Sequence, residues 1–306
     1  MSRFSSGRRQ GGLVALLLAV AILTTVATMM VIGQANALRK SGDQIGITNL
    51  RLETIRKALV DFVVVNSRLP CPADGALNVG LPDPNTFTPT PNPPIPNVLC
   101  NKRDGTVPWA VLGLSDKETL DGWGRKISYR VYDGGLAPQV GLTIDKGASL
   151  VECDKNFASP MPAASAAAVS PAYLCAVPTP LAPDRTDPAT VLASLVRPGL
   201  ALTDQGVAVA QVGFVLVSHG PTGSGAWLTG GGCPAPGCRM ALPPAPLTNP
   251  ERPNTQAQGA GIVYVKRVGS AKTVTTADPA NFFDDQVVYM TIADLLNAAG
   301  RGARDW

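Results

Sequence analysis

The sequence predicts an α+β protein in which a long N-terminal helix packs on an antiparallel β-sheet domain with long Pro/Gly-rich loops. Three observations support this fold class. Apolar residues recur at helical spacing before residue 66, short apolar or alternating stretches follow, and the 306 residues include 31 Gly and 28 Pro. Because Gly and Pro disfavour helix interiors, most of the chain cannot form a helical bundle. A hydrophobic content of 45% argues against wholesale disorder.

The net charge is small for the length of the chain. Lys and Arg number 26 and Asp and Glu number 22, which leaves a formal charge of +4. A nucleic-acid-binding protein normally concentrates basic residues on one face. We therefore expect no nucleic-acid partner.

The N-terminus combines a basic leader with an apolar stretch. Residues 1–11 carry three arginines and no acidic residue, and residues 12–33 are apolar or small. A membrane-spanning helix needs about 20 such residues, so the sequence predicts a leader at 1–11 and a transmembrane helix at 12–33. A cleaved secretory signal is the alternative, because the small residues around Ala35 and Ala37 suit signal peptidase, which would cut after Ala37.

An amphipathic helix is predicted to continue the first one through residues 34–66. Apolar residues at spacings of three and four form one stripe, made by Leu52, Ile55, Leu59 and Phe62. Pro70 disfavours further helix. Gly42 and Gly46 leave a second arrangement open, in which two helices are joined by a linker at 40–46.

Residues 67–306 are predicted to form one globular domain. Strands are predicted at 127–132, 207–217, 261–268 and 286–292, followed by a short helix at 293–299. Thr291 suits the N-cap of that helix, and the longest strand, 207–217, is expected at the centre of the sheet. Residues 160–205, rich in Pro and Ala, are predicted to be an irregular insertion.

The chain has six cysteines, an even number: Cys71, Cys100, Cys153, Cys175, Cys233 and Cys238. With an export signal, this count predicts disulfides formed in an oxidising compartment. Pairing of sequence neighbours is the simplest of the fifteen possible schemes, and it gives Cys71–Cys100, Cys153–Cys175 and Cys233–Cys238. The sequence does not fix which cysteines are paired.

Catalytic motifs are weak, and we predict no enzyme. His219 is the single histidine of the chain. Its neighbour Ser218 would point to the opposite side of a strand, so the two do not form a nucleophile–base pair.

Two adjacent carboxylates form the best candidate metal site. Asp284 and Asp285 could bind Ca²⁺ together with backbone carbonyls. They are the candidate Ca²⁺ ligands, and no other cofactor is expected. A solvated turn, or a salt bridge to Arg125 or Arg130, is the alternative.

Several motifs in a fixed order suggest a family. They are Arg8-Arg9-Gln10-Gly11 before the apolar stretch, Leu69-Pro70-Cys71-Pro72-Ala73 after the helix, Pro108-Trp109-Ala110-Val111-Leu112-Gly113-Leu114, Asp121-Gly122-Trp123-Gly124-Arg125, and the late segments Phe214–Gly220 and Phe283–Val288. In this series the chain resembles the type IV pilin-like family, specifically the pseudopilins of type II secretion systems. The resemblance covers the first 132 residues well and the rest in patches.

The resemblance implies a processing route. Prepilin peptidase would cut after Gly11, and Gly12 would become a methylated N-terminus; a cut after Gly12 would leave Leu13. The helix would then pack beside other pilin-like subunits on an inner-membrane secretion or pilus assembly platform. The implied topology is a single-pass bacterial inner-membrane protein, with a cytoplasmic N-terminus and a periplasmic domain.

One position departs from the family pattern. The usual Glu at the fifth mature position is replaced by Leu16, or by Leu17 for the later cut. Within the family this implies a minor or tip subunit. We therefore expect a non-catalytic, membrane-anchored pilin-like subunit. The alternatives are a soluble periplasmic or secreted binding protein released after Ala37, and a surface adhesin carried on a pilus.

Overall fold

The structure is a computed structural model of the chain. It describes residues 10–82, 100, 105–133, 142–143, 199–230, 238–242, 249–256, 262–269 and 282–300. The chain divides into two compact units, Met1–Gly46 and Ile47–Trp306. One helix, α1, runs from Gln10 to Asn66 and belongs partly to each unit. The alternative of two helices with a linker is therefore wrong, since α1 continues through Gly42 and Gly46.

In the first unit, α1 presents apolar side chains to solvent. Leu16 is 65% exposed, Leu23 is 70% and Met29 is 74%. Along the described chain, no helix has both the length and the apolar character needed to cross a membrane. This finding overturns the transmembrane part of the predicted fold. The described side chains between Leu16 and Met30 include three threonines, whose hydroxyls donate to carbonyls of the preceding turn.

In the second unit, α1 buries one apolar stripe. The predicted residues Leu52, Ile55 and Leu59 are fully buried, and Val63 extends the stripe. Ser67 follows the helix with a φ of 56°, and its N–H donates to the Val63 carbonyl at 2.8 Å. This left-handed residue ends the helix.

Six strands form a single sheet in this unit. They are β1 (Gly105–Thr106), β2 (Ser128–Val131), β3 (Leu200–Asp204), β4 (Val207–Ser218), β5 (Val263–Lys266) and β6 (Gln286–Thr291). The order is β1-β2-β4-β3-β5, with β6 paired to β4. The longest strand, β4, thus pairs with β2, β3 and β6. A second helix, α2 (Ile292–Ala298), follows β6.

The sheet is mixed, so the prediction of an antiparallel sheet was wrong. β5 lies parallel to β3, with Ala201 opposite Val263 and Asp204 opposite Lys266. The described pairs β1–β2, β2–β4, β3–β4 and β4–β6 are antiparallel. The long connection after β4 brings the chain back to the open side of β3, and β5 then runs in the direction of β3. The local residue pattern of a strand does not specify whether it pairs in parallel or antiparallel with a distant strand.

Several predicted elements coincide with described ones. β4, β5 and β6 lie within or close to the predicted strands, and the Thr291 hydroxyl accepts from the Asp294 N–H at 3.1 Å at the start of α2. β2 lies within the predicted strand 127–132, and all four of its residues are buried. β3 forms at the end of the segment predicted as an irregular insertion; residues 160–198 of that segment lie outside the described residues.

The free edge of β5 is covered by a side chain. The Asn254 amide donates to the Val265 carbonyl at 2.8 Å and accepts from the Val265 N–H at 2.8 Å. Asn254 belongs to a short 3-10 turn, Pro253–Thr255. Its amide therefore takes the hydrogen-bonding position of a neighbouring strand.

Candidate functional site: a buried polar cluster

Polar side chains gather where β4 ends and β6 begins. Ser218 is the last residue of β4 and pairs with Gln286, the first residue of β6. Because the two strands are antiparallel, the residue after Ser218 and the residue before Gln286 meet at the same end of the sheet. His219 and Asp285 therefore face each other, and both are buried.

His219 lies between a hydroxyl and a carboxylate. Its Nε2 is 3.0 Å from the Ser128 hydroxyl on β2, and its Nδ1 is 3.4 Å from Asp285 Oδ1. This order of groups is that of a Ser–His–Asp triad. Ser128 and His219 are 0% exposed, so no substrate carbonyl reaches the hydroxyl in this arrangement.

A third acidic residue joins the two aspartates. Carboxylate oxygens of Glu251, Asp284 and Asp285 all lie within 4.8 Å of one another. The Asp284 N–H donates to Glu251 Oε1 at 2.6 Å. Asp284 also accepts from the Thr222 N–H at 2.9 Å and from its hydroxyl at 3.1 Å, whereas Asp285 Oδ2 accepts from the Asn254 amide at 2.9 Å.

Burial strongly shifts the proton equilibria of this cluster. Desolvation, reinforced by Asp285 and Asp284, raises the pKa of Glu251 to about 9. Desolvation also raises the pKa of Asp285 well above its ordinary value. The pKa of His219 falls to about 3, because burial and the nearby Arg130 and Arg239 disfavour the imidazolium.

Three arginines surround the cluster and are held by carbonyl oxygens. Arg125 donates to Gly220, Arg130 to Gly105 at 3.0 Å, and Arg239 to Gly225 at 2.8 Å. Each guanidinium thus holds a backbone carbonyl in place as well as contributing positive charge. The region joins residues from β2, from the end of β4, from the segment around Glu251 and from the start of β6 into one polar core.

The sequence predicted part of this site. Asp284 and Asp285, the weak Ca²⁺ candidates, do lie side by side in it. Glu251 was missed because it stands alone in a Pro-rich stretch, 34 positions before Asp285. Ser128 was missed because its partner His219 follows a different strand, and only the pairing of β2 with β4 brings them together.

The described cysteines form disulfides. Cys71 and Cys100 are bonded, with Cα atoms 5.4 Å apart, and Cys238 is disulfide-bonded. Cys153, Cys175 and Cys233 lie outside the described residues. The Cys71–Cys100 bond ties the segment after α1 to the chain before β1.

The predicted processing and assembly residues lie on α1. Gly11, Gly12 and Leu13 belong to its first turns, while their side chains and that of Leu17 lie outside the described residues. Leu16 is largely exposed. Residues 1–9 of the leader are outside the described part of the chain.

No family model, no curated protein and no solved structure matches this chain.

Proposed function

We propose that this chain is a non-catalytic pilin-like subunit of a type II secretion or type IV pilus-like assembly, in a minor or tip position. It works at the bacterial inner membrane with its globular unit in the periplasm. Its partners are other pilin-like subunits, which contact the N-terminal part of α1, together with prepilin peptidase and an inner-membrane assembly platform.

The exposed apolar surface of α1 is the observation that supports the proposal most. Leu16, Leu18, Val20, Ile22 and Leu23 are all more than half exposed. An apolar surface of this extent marks a site that another molecule covers. A helical partner fits it, because side chains of one helix pack into the grooves of another.

The ordered motif series supports the same family. It includes the Gly11 leader end and the Leu69–Ala73 segment, where Cys71 is oxidised. An oxidised cysteine next to an apolar N-terminal helix is consistent with export. It does not distinguish a pilin-like subunit from a secreted binding protein.

The N-terminus of the mature chain separates the two. The full-length gene product is expressed in a host with prepilin peptidase, purified and sequenced from its N-terminus. A start at Gly12 or Leu13 with a methylated amine supports the proposal, and a peptidase-deficient host should then retain the leader. A start at Leu38 overturns it in favour of a soluble binding protein.

A matched pair of substitutions tests the proposed contact surface. Leu16 is 65% exposed in the first unit and Leu50 is 70% exposed in the second. We expect Leu16→Arg to abolish co-purification with other pilin-like subunits, while Leu50→Arg retains it. Both variants should keep the wild-type melting temperature, since neither side chain is buried. Equal co-purification by both variants would contradict the proposed surface.

A further inference from the structure

The first half of β4 is exposed on both of its faces. Val207 is 68% exposed, and Ala208 and Ala210 are exposed as well, whereas every residue from Val212 to Ser218 is buried. Side chains of adjacent strand residues point to opposite faces. The exposure of both Val207 and Ala208 therefore means that solvent contacts both faces of the strand at this point.

One edge of this half of β4 also lacks a neighbouring strand. Val212 pairs with Leu200 of β3 and with Thr291 of β6, so these two strands lie on opposite sides of β4. β3 continues along 207–209, but β6 ends at Thr291 because α2 begins at Ile292. Within the part of the chain that the structure describes, no strand pairs with 207–211 on the β6 side.

The turn before β4 determines which backbone groups face this open edge. Gln205 and Gly206 have φ values of 51° and 87°, as in a two-residue type I′ hairpin turn. In such a hairpin the flanking pair, here Asp204 and Val207, bond each other, and the next residue points its N–H and C=O the other way. Ala208 therefore presents a donor and an acceptor on the open edge, where another strand can add.

The open edge carries no charge that would select or repel a partner. Residues 205–218 include no Asp, Glu, Lys or Arg, although natural edge strands commonly use a charge or a proline to prevent pairing. The preceding acidic residue, Asp204, is already paired with Lys266 at 2.9 Å. A partner recognised through charge finds no counterpart here, whereas a second copy brings an edge that is equally free of charge.

We propose that two copies of this chain pair antiparallel through this edge of β4, with Val209 of each chain opposite Val209 of the other. This register uses all five residues of 207–211. It places Ala208 of one chain opposite Ala210 of the other, twice, so that the outward N–H and C=O groups can bond. Opposed β-branched residues stabilise a strand pair, and the small alanine side chains leave the backbones free to approach.

The contact is expected to stop at two copies and to be weak. A two-fold contact uses the same surface of both chains and is therefore closed. Growth through β5 is blocked at Val265, where the Asn254 amide takes the place of a strand. A contact of five residues a side lies below the about 1,200 Å² of the smallest stable interfaces. The inference rests on the β3–β4 hairpin alone and is independent of the proposed assembly through α1.

Cysteine cross-linking of the full-length chain tests the register. Opposed residues that are not hydrogen-bonded have Cα atoms about 4.5 Å apart, which is within disulfide range. Val209→Cys should therefore give a disulfide-linked dimer under mild oxidation. Val207→Cys is the matched control, because the side chain at this position is more exposed but its two copies would lie about 14 Å apart. It should stay monomeric.

Charge substitutions test the same pairing without a new cysteine. The double variant Ala208→Lys/Ala210→Lys puts lysine opposite lysine twice, which destabilises a strand pair, whereas Ala208→Lys/Ala210→Glu puts opposite charges together. Both positions are exposed, so both variants should keep the wild-type melting temperature. Sedimentation velocity is measured between about 1 μM and 1 mM, in a mild detergent that covers the apolar part of α1. We expect the wild type and the Lys/Glu variant to dimerise, and the Lys/Lys variant to stay monomeric.

Three results would overturn the proposal. They are the absence of a wild-type dimer over this concentration range, equal dimerisation of the two charge variants, and cross-linking of Val207→Cys as fast as that of Val209→Cys. The first result uses only the wild-type chain, so it decides the question even if a variant does not fold. A mature N-terminus at Leu38 would contradict the proposed function but would leave these expected results unchanged.

Discussion

The second unit contains two cores of opposite character. Where α1 packs, the interior is apolar and includes Leu52, Leu59 and Phe214. At the end of β4 the interior is polar and includes His219 and Asp285. The apolar core is stabilised by burial alone, which does not depend on direction. The polar core depends on directed hydrogen bonds, so removing one partner leaves a buried group unsatisfied.

The difference between the two cores predicts how a substitution destabilises each of them. Removing methyl groups from the apolar core leaves a cavity, and the cost depends on how far neighbours relax. Removing one partner from the polar core leaves a buried group unsatisfied, and pH changes act on it as well. Substitutions in the two cores separate the effect of a cavity from that of an unsatisfied polar group.

Among the substitutions at fixed pH, the largest effect is expected for Leu52→Ala. Leu52 is 0% exposed, whereas Leu50, two positions earlier, is 70% exposed. We expect Leu52→Ala to lower the free energy of unfolding by about 2–5 kcal/mol and Leu50→Ala to change it by less than about 0.5 kcal/mol. Urea denaturation at neutral pH measures both. Similar losses of stability in the two variants would show that α1 does not bury the side that carries Leu52.

Asn254→Ala tests the polar core. The substitution removes the donor to Asp285 and both bonds to Val265, and we expect a loss of about 1–3 kcal/mol. Asn297→Ala, on the exposed side of α2, is the control and should be close to neutral. A neutral result for Asn254→Ala would mean that water replaces the amide without cost.

The polar core also predicts how stability depends on pH. The pKa of Glu251 is raised to about 9 in the folded chain, so folding retains a proton that the unfolded chain loses. Stability should therefore fall as the pH rises from 4.5 towards 9, by about 1.4 kcal/mol per unit at most. Glu251→Gln should flatten this slope in thermal unfolding scans; an unchanged slope would exclude Glu251 as its source.

His219 gives the opposite slope in acid. Its pKa is lowered to about 3 in the folded chain. Between pH 3 and 6.5 the unfolded chain therefore binds a proton that the folded chain does not bind. His219 therefore stabilises the fold fully above pH 6.5, and this contribution is lost as the pH falls from 6.5 towards 3. In the same scans, His219→Gln should reduce the acid loss and leave the alkaline slope in place.

The smallest effect is expected at the end of α1. Ser67 has a φ of 56°, a conformation that favours glycine. We expect Ser67→Gly to stabilise the chain by about 0.5–1 kcal/mol. Ser115 has a φ of −80° and its hydroxyl bonds Glu118 at 2.7 Å, so Ser115→Gly should be neutral or destabilising. Chemical denaturation of both variants measures this difference in sign.

The apolar core could largely be predicted from the sequence, and the polar core could not. The spacing of Leu52, Ile55 and Leu59 identifies the buried side of α1, because helical period and burial are linked locally. Nothing local links Glu251 to Asp285, since the fold alone brings them together. The parallel pairing of β5 with β3 was missed for the same reason.

The β5 edge has a consequence for behaviour at high protein concentration. Exposed strand edges recruit strands from other molecules and so promote uncontrolled aggregation. The Asn254 carboxamide caps Val265 on that edge, which prevents another backbone from adding there. At high protein concentration, pairing of a second chain with β5 at Val265 is therefore disfavoured.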